Sequence, residues 1–373
     1  MNSSFYLGRV AGIPLGVNYS WFVVFVMVAS LMALYYFPWR YPEGSTATYW
    51  VLGFATSLLF FASVLAHEIA HGVIALRRGI PVKEITLFFL GGVARITREP
   101  TEPATELAMA SAGPLSSLVL AAVFALLWLP TRNTVEPLAA MILWLSLINL
   151  ALAVFNMVPG FPMDGGRVLR AAIWSRLGDY MRATRIATQA GEVVGYLVIL
   201  GGVVMAVIAD PWIRGVWLVF IGLFLRLAAS SSYKQEALRS RLRGVFAQDA
   251  MTSDCRSVPA GKGLEETLRD SFGPEEPGFL VVGPIDGPDG VLTEDDARRV
   301  PRKRRKQAAV SDAMTPVERL AVLAPADNGL AMLEKMDELN SDVGLVVDGD
   351  RCVGVVHRDH LLEMGLDRVR RTG

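Results

Sequence analysis

From Val10 to Trp39 the chain carries no charged residue, and an uncharged apolar run of that length has few ways to fold. In lipid every backbone N–H and C=O must be satisfied inside the segment, which selects a helix. About 20 apolar residues cross a bilayer, so Trp21–Phe37 is expected to form a first spanning helix. Five more follow: from about Trp50 to Arg77, Leu107–Leu129, Pro137 to about Asn156, Val193–Ala209, and Pro211 to about Ser230. In the last, Arg214 and Arg226 flank a short apolar centre, and such arginines can snorkel to the interface. With 373 residues, 52% hydrophobic and 19% charged, the chain is too apolar for an ordinary soluble protein. Its charges gather in the last third. The expected architecture is a polytopic α-helical membrane domain over residues 1–235, a linker over 236–244 and a soluble α/β part beyond. Formal net charge is zero, so no nucleic-acid partner is expected.

Loop charges set the expected orientation. Arg77, Arg78, Lys83, Arg95 and Arg98 follow the second span; Arg167, Arg170, Arg176, Arg182 and Arg185 follow the fourth; Arg239, Arg241 and Arg243 follow the sixth. The loops after spans one, three and five carry one arginine each, Arg40, Arg132 and Arg214. The positive-inside rule then predicts a multi-pass cell-membrane protein with both termini and the soluble part in the cytoplasm. No cleaved leader is expected, because the amino terminus lacks a basic region followed by a short apolar core and a small-residue cleavage site. Cys255 and Cys352 match no metal or disulfide spacing, in keeping with a reducing compartment.

Polar chemistry interrupts the second span as His67-Glu68-Ile69-Ala70-His71. Histidines four apart share a helix face and can address one divalent ion, while Glu68 can address a water on that ion. Ionisable groups at membrane depth cost about 2.5 kcal/mol or more each on insertion scales, so they are seldom idle. A catalytic zinc uses three protein ligands and keeps its fourth position for water. Asp164 is the best third candidate, in Asn156-Met157-Val158-Pro159-Gly160-Phe161-Pro162-Met163-Asp164-Gly165-Gly166-Arg167, where prolines and paired glycines break the preceding helix. The plain alternative is a turn aspartate before glycine; a rival ligand set would draw a glutamate from a later helix. Asn156 could donate a hydrogen bond to a developing oxyanion or hold a substrate backbone, with Asn149 as a weaker rival.

Residues 81–97 read as β-structure around a Gly91-Gly92 turn, and Phe5–Val17 can add a strand or two. At membrane depth such backbone needs protein cover or a wet cavity. The small-residue run Ser111–Ser117 in the third span reads as close helix packing rather than catalysis.

The soluble third holds an internal repeat: VFAQDAMT at Val245–Thr252 returns as AAVSDAMT at Ala308–Thr315. Each copy continues through a helical stretch into apolar runs, Phe279–Val282 and Val343–Val347, then into Gly290-Val291-Leu292 and Gly354-Val355-Val356. Two paired α/β units of about 60 residues are expected, over 245–306 and 307–366. The basic run Arg298–Lys306 joins them and reads mainly as a solvated linker, with anionic lipid or phosphate binding as the rarer reading.

HExxH on a span, followed by N-x-x-P-x-x-P-x-D-G-G-R at Asn156–Arg167, resembles the site-2 protease family of intramembrane zinc metalloproteases. The paired repeat resembles a CBS-domain pair, which marks the branch carrying such a module; no PDZ-like insertion stands between the second and fourth spans. The resemblance implies Zn2+ held by His67, His71 and Asp164, with Glu68 as general base and Asn156 near the scissile carbonyl. It implies an endopeptidase that cleaves membrane-spanning or membrane-associated regulatory proteins in the lipid bilayer, with activity or access tuned by the CBS pair. CBS pairs often bind an adenine nucleotide through a Thr/Ser-x-x-Asp element. Thr293 and Asp296 keep that pattern, whereas His357-Arg358-Asp359-His360 in the second copy departs from it. Homo-oligomerisation through the CBS units is also expected. Because a helical peptide bond must unwind before cleavage, the 81–97 region is expected to capture substrate as an added strand. The rivals are a CBS-regulated membrane transporter, which predicts polar pathway residues on several helices, and a non-catalytic membrane scaffold.

Overall fold

The computed structural model describes residues 4–89, 91–96, 98–133, 135–208, 211–253, 255–272 and 278–370. The chain divides into two compact units, Met1–Tyr233 and Lys234–Gly373.

Among the described residues, six helices are long and apolar enough to cross a bilayer: Tyr19–Arg40, Thr46–Arg77, Pro103–Thr131, Glu136–Asn156, Tyr180–Ile208 and Ile213–Leu242. The first two start at side-chain caps: Asn18 accepts from the Ser20 amide and Ser45 from the Thr48 amide, satisfying otherwise orphaned N–H groups. Large apolar residues such as Leu126, Leu197 and Val207 stay exposed on the outer faces, as suits a lipid solvent. Each expected span overlaps one of these helices, although Pro211 and Trp212 precede the sixth and expected Ala209 falls outside the described residues. The fifth helix begins well before Val193. Residues 236–242, expected as linker, instead continue the sixth helix, since Lys234-Gln235-Glu236-Ala237-Leu238 favours helix by propensity without any apolar signal.

One helix is new. Asp164–Leu177, dense in arginine and expected as loop, forms a short helix closed by Gly178 in the left-handed region. Arg170 is buried within it, so it is no loop charge for orientation.

Four strands form one sheet in the order β1 (Ser4–Val10), β2 (Ile13–Asn18), β3 (Val82–Phe88), β4 (Gly91–Ile96). β1–β2 and β3–β4 are antiparallel, while β2 and β3 run parallel with Leu15 opposite Ile85. Alternate residues Ile13, Leu15, Val17, Ile85 and Leu87 are buried and pack against Val64, Leu65 and Ile69 of the second span. The sheet therefore rests on the helix that carries HExxH. The expected turn is displaced: Phe88 pairs with Gly91 and Leu87 with Gly92, so the glycines open the return strand and the reversal precedes them. Leu90 and Thr97 of this stretch lie outside the described residues.

In the second unit each repeat supplies a strand, a helix and two further strands. The first gives β5 (Ser257–Val258), helix Leu264–Ser271, β6 (Phe279–Val282) and β7 (Gly290–Thr293); the second gives β9 (Ala321–Leu323), helix Gly329–Leu339, β10 (Val343–Asp348) and β11 (Arg351–His357). In both, the first strand runs parallel to the second and the last two are antiparallel. The repeats also exchange edges. Thr252 bridges to Val355 in the second sheet, and β8 (Thr315–Pro316) pairs with β7 in the first. One apolar cluster joins Phe279, Val281 and Val291 to Leu345, Cys352 and Val355. The two free cysteines meet there, with their sulfurs 2.9 Å apart.

This shared core predicts that the repeats unfold together. Leu345→Ala, at a fully buried position, is expected to cost about 2–5 kcal/mol. Hydrogen exchange should accelerate in β6 and β10 alike; acceleration confined to the second repeat would refute the coupling.

Candidate metal centre and active site

His67 and His71 stand one turn apart on the second span, and Asp164 is the first residue of the short helix that follows the broken end of the fourth. Their ligand-type atoms converge. His67 Nε2 lies 3.1 Å from Asp164 Oδ2, His71 Nε2 3.2 Å from the same oxygen, and the two Nε2 atoms are 3.2 Å apart. Ligands 2.0–2.1 Å from a tetrahedral zinc are about 3.3 Å from one another, so this triangle has the edge such an ion requires. Among the described residues this is the one cluster of three histidine, cysteine or acidic groups so placed, and no glutamate from a later helix joins it.

The third span prepares both rings. The Met109 carbonyl lies 2.7 Å from His71 Nδ1. A carbonyl can only accept, so Nδ1 carries the hydrogen and Nε2 turns its lone pair toward the Asp164 carboxylate. Two acceptors then face each other unless a proton or a cation lies between them. Ser117 Oγ sits 2.9 Å from His67 Nδ1 and orients that ring. Between these contacts is Gly113, where a Cβ would fall 2.2 Å from His71 Nε2 and 2.5 Å from His67 Nε2. The missing side chain leaves room at the point where the donors meet. The run around Gly113, expected only to pack helices, thus borders the ligand triangle.

Close backbone packing holds Asp164. A Cβ at Gly166 would lie 2.4 Å from the backbone of Gly160 and Phe161, so the loop folds tightly over the start of the short helix.

Glu68, half-buried, lines a cavity of about 680 Å³ together with His67, His71, Asp164, Asn156 and β4. Gly92 gives it space, since a Cβ there would lie 2.3 Å from Glu68 Cγ. Asn156 stands on the cavity wall, its amide donating to the Leu152 carbonyl. Asn149 is buried elsewhere, donating to Ser63 Oγ and the Leu145 carbonyl. Sequence reasoning passed over Met109, and read Ser117 only as a packing residue and Gly92 only as a turn residue. The spacing of Met109, Gly113 and Ser117, four apart on one helix face, is the signal that was available.

In the second unit, Thr293 and Asp296 line a cavity of about 650 Å³ that His357, Arg358 and Asp359 also border. Thr293 donates to Asp296 Oδ2 and accepts from the Asp296 amide. Both repeats thus bring their strand-end elements to one cavity.

The model of peptidase family M50 matches residues 55–137 and 131–202, a stretch holding both motifs. A Synechocystis sp. protein named as a zinc metalloprotease is 34% identical, covering 97% of this chain and 96% of its own. The solved site-2 protease from Methanocaldococcus jannaschii is 28% identical, covering 61% of this chain and 94% of its own at a TM-score of 0.41. The solved CBS domain of the bacterial CNNM/CorC family Mg2+ transporter, in complex with ATP, is 14% identical, covering 36% of this chain and 97% of its own at a TM-score of 0.29.

Gly113→Ala is expected to lower bound metal per chain at least tenfold, read by elemental analysis of purified protein. Gly201→Ala, at a helix position where a Cβ meets nothing within 4 Å, should leave it unchanged. Equal metal in both would remove Gly113 from the site.

Proposed function

This chain belongs to the site-2 protease family, peptidase family M50, and from that premise we propose that it cleaves membrane-spanning or membrane-associated regulatory proteins within the bilayer, using His67, His71 and Asp164 as zinc ligands and Glu68 as general base. Family membership makes it a multi-pass membrane zinc metalloprotease and sets the transporter reading aside. The observation that carries the proposal is the ligand triangle opening on a cavity whose wall includes Glu68 and the sheet-edge strand β4.

Zinc at this triangle would supply Lewis acidity toward the peptide carbonyl and bring the pKa of water down to about 7. Glu68, beside the histidines, accepts the proton of the attacking water and returns it to the leaving amine. Asn156 turns its amide from the Leu152 carbonyl toward the substrate, donating to the carbonyl oxygen as charge develops there. A transmembrane substrate arrives as a helix whose carbonyls are already hydrogen-bonded, so its segment must unwind first. The outer edge of β4 offers main-chain groups to that segment as a fifth strand.

Both termini and the second unit are assigned to the cytoplasm, on the loop charges, in a cell-membrane protein. The CBS pair tunes access or activity, mediates homo-oligomerisation, and binds an adenine nucleotide in the cavity bordered by Thr293 and Asp296.

Glu68→Gln is expected to lower cleavage of a co-expressed single-pass substrate by about 10²–10⁴-fold while zinc is retained. Asp164→Ala should lose the zinc itself; retention would overturn the ligand assignment. Proline placed along residues 92–96, removing N–H donors, should weaken cleavage of helical substrates, and undiminished cleavage would remove β4 from substrate binding. Calorimetric titration of the full chain with ATP, ADP and AMP should give heat with at least one, abolished by Asp296→Ala. Silence with all would leave the pair a packing module.

A further inference from the structure

The proposed chemistry leaves a fully buried charge unused. Glu106, on the third span, is 0% exposed, and its partner Arg170, on the short helix that begins with Asp164, is 4% exposed. Resting on the metal-site reading above, we propose that Glu106 and Arg170 are positioning residues that hold this helix in the register at which Asp164 reaches the two histidines.

Arg170 donates from Nε to Glu106 Oε1 at 2.7 Å and from Nη2 to the same oxygen, while Arg167 Nε lies 3.8 Å from it. The Arg170 guanidinium also stacks over two rings, 5.0 Å from the Phe161 centroid and 4.7 Å from that of Tyr180. Phe161 lies in the loop just before Asp164, and Tyr180 just after the helix ends. One guanidinium therefore ties the third span to the segments bracketing both ends of the aspartate helix. Asp164, Arg167 and Arg170 recur at three-residue spacing, each a surface neighbour of the next.

The third span shows the complementary pattern. Glu106, Met109, Gly113 and Ser117 follow one another at helical spacing along one face. Met109 fixes His71, Ser117 fixes His67, Gly113 leaves the space between them, and Glu106 fixes the helix of Asp164. One stripe on one helix thus registers all three donors, although they come from two separate stretches of chain. A buried ion pair seldom adds stability over apolar packing of the same volume, so this pair is better explained by what it aligns. Placement matters here because ligand constellations tolerate displacements of only about 0.5 Å.

Three variants of the full-length purified protein test this: Glu106→Gln, Glu106→Asp, which keeps the charge but shortens the reach, and Arg170→Lys, which loses the planar two-donor geometry. The readouts are the rate of zinc release to a chelator, the visible absorption bands after cobalt replacement, and the Tm. Glu106→Asp and Arg170→Lys should release zinc about 10–100-fold faster, as loss of support around metal ligands typically does, with shifted cobalt bands and an unchanged Tm. Unaltered release and spectra would overturn the proposal, as would zinc loss that appears only where the Tm falls. Asp164→Ala separates the two readings. If it loses zinc while the Glu106 and Arg170 variants behave as wild type, only the positioning role fails; if it keeps zinc, the metal-site reading fails.

Discussion

The proposed metal triad, at membrane depth, is tenable only if the polar atoms around it are compensated from within the protein, and here one face of the third spanning helix does most of that. Lipid offers no hydrogen bonds, so each imidazole needs a fixed partner for its second nitrogen. Met109 and Ser117 provide them, one by backbone and one by side chain. With the rings fixed, the carboxylate must come to them, and it arrives on a separate helix at the end of a tightly folded loop. The precision of the site is thus set by helix–helix contact, and small residues are what allow the helices to come that close.

The sheet answers a second constraint. Non-helical backbone near the bilayer must be covered, and β2 and β3 are covered by the second span while lying between β1 and β4. The order leaves β4 at an edge, and Gly92 on that strand accommodates Glu68. An open edge is ordinarily a hazard. In the proposed function, it is the feature that would let backbone recognise backbone beside the cavity.

What was legible in the sequence was what repeats or stays contiguous. The spans follow from charge-free runs, HExxH from local spacing, and the paired module from the return of VFAQDAMT as AAVSDAMT. Asp164 was legible as a candidate because the apolar part of the chain offers few other carboxylates and because prolines and paired glycines break the preceding helix. The short helix Asp164–Leu177 was hidden because its arginines imitate a solvated loop, whereas Arg170 is neutralised by a carboxylate far away in sequence. No local pattern announces such a pair. The displaced hairpin turn was misread for a related reason: Gly91-Gly92 signals a reversal in isolation, but Gly92 is there to make way for Glu68. The exchange of Thr252 and Thr315 between the two sheets was equally invisible, since register across a repeat boundary is decided by tertiary packing.

The formal charges of the buried cluster explain why these parts belong together. Asp164 lies against the histidines, and Arg167 and Arg170 lie against Glu106. Arg170, paired with Glu106 and stacked between two rings, has its charge matched away from the ligand triangle, whereas Arg167 lines the cavity itself. Asp164 instead faces two imidazole nitrogens, and in the proposed site a dication there would complete the balance that the protein's own groups begin.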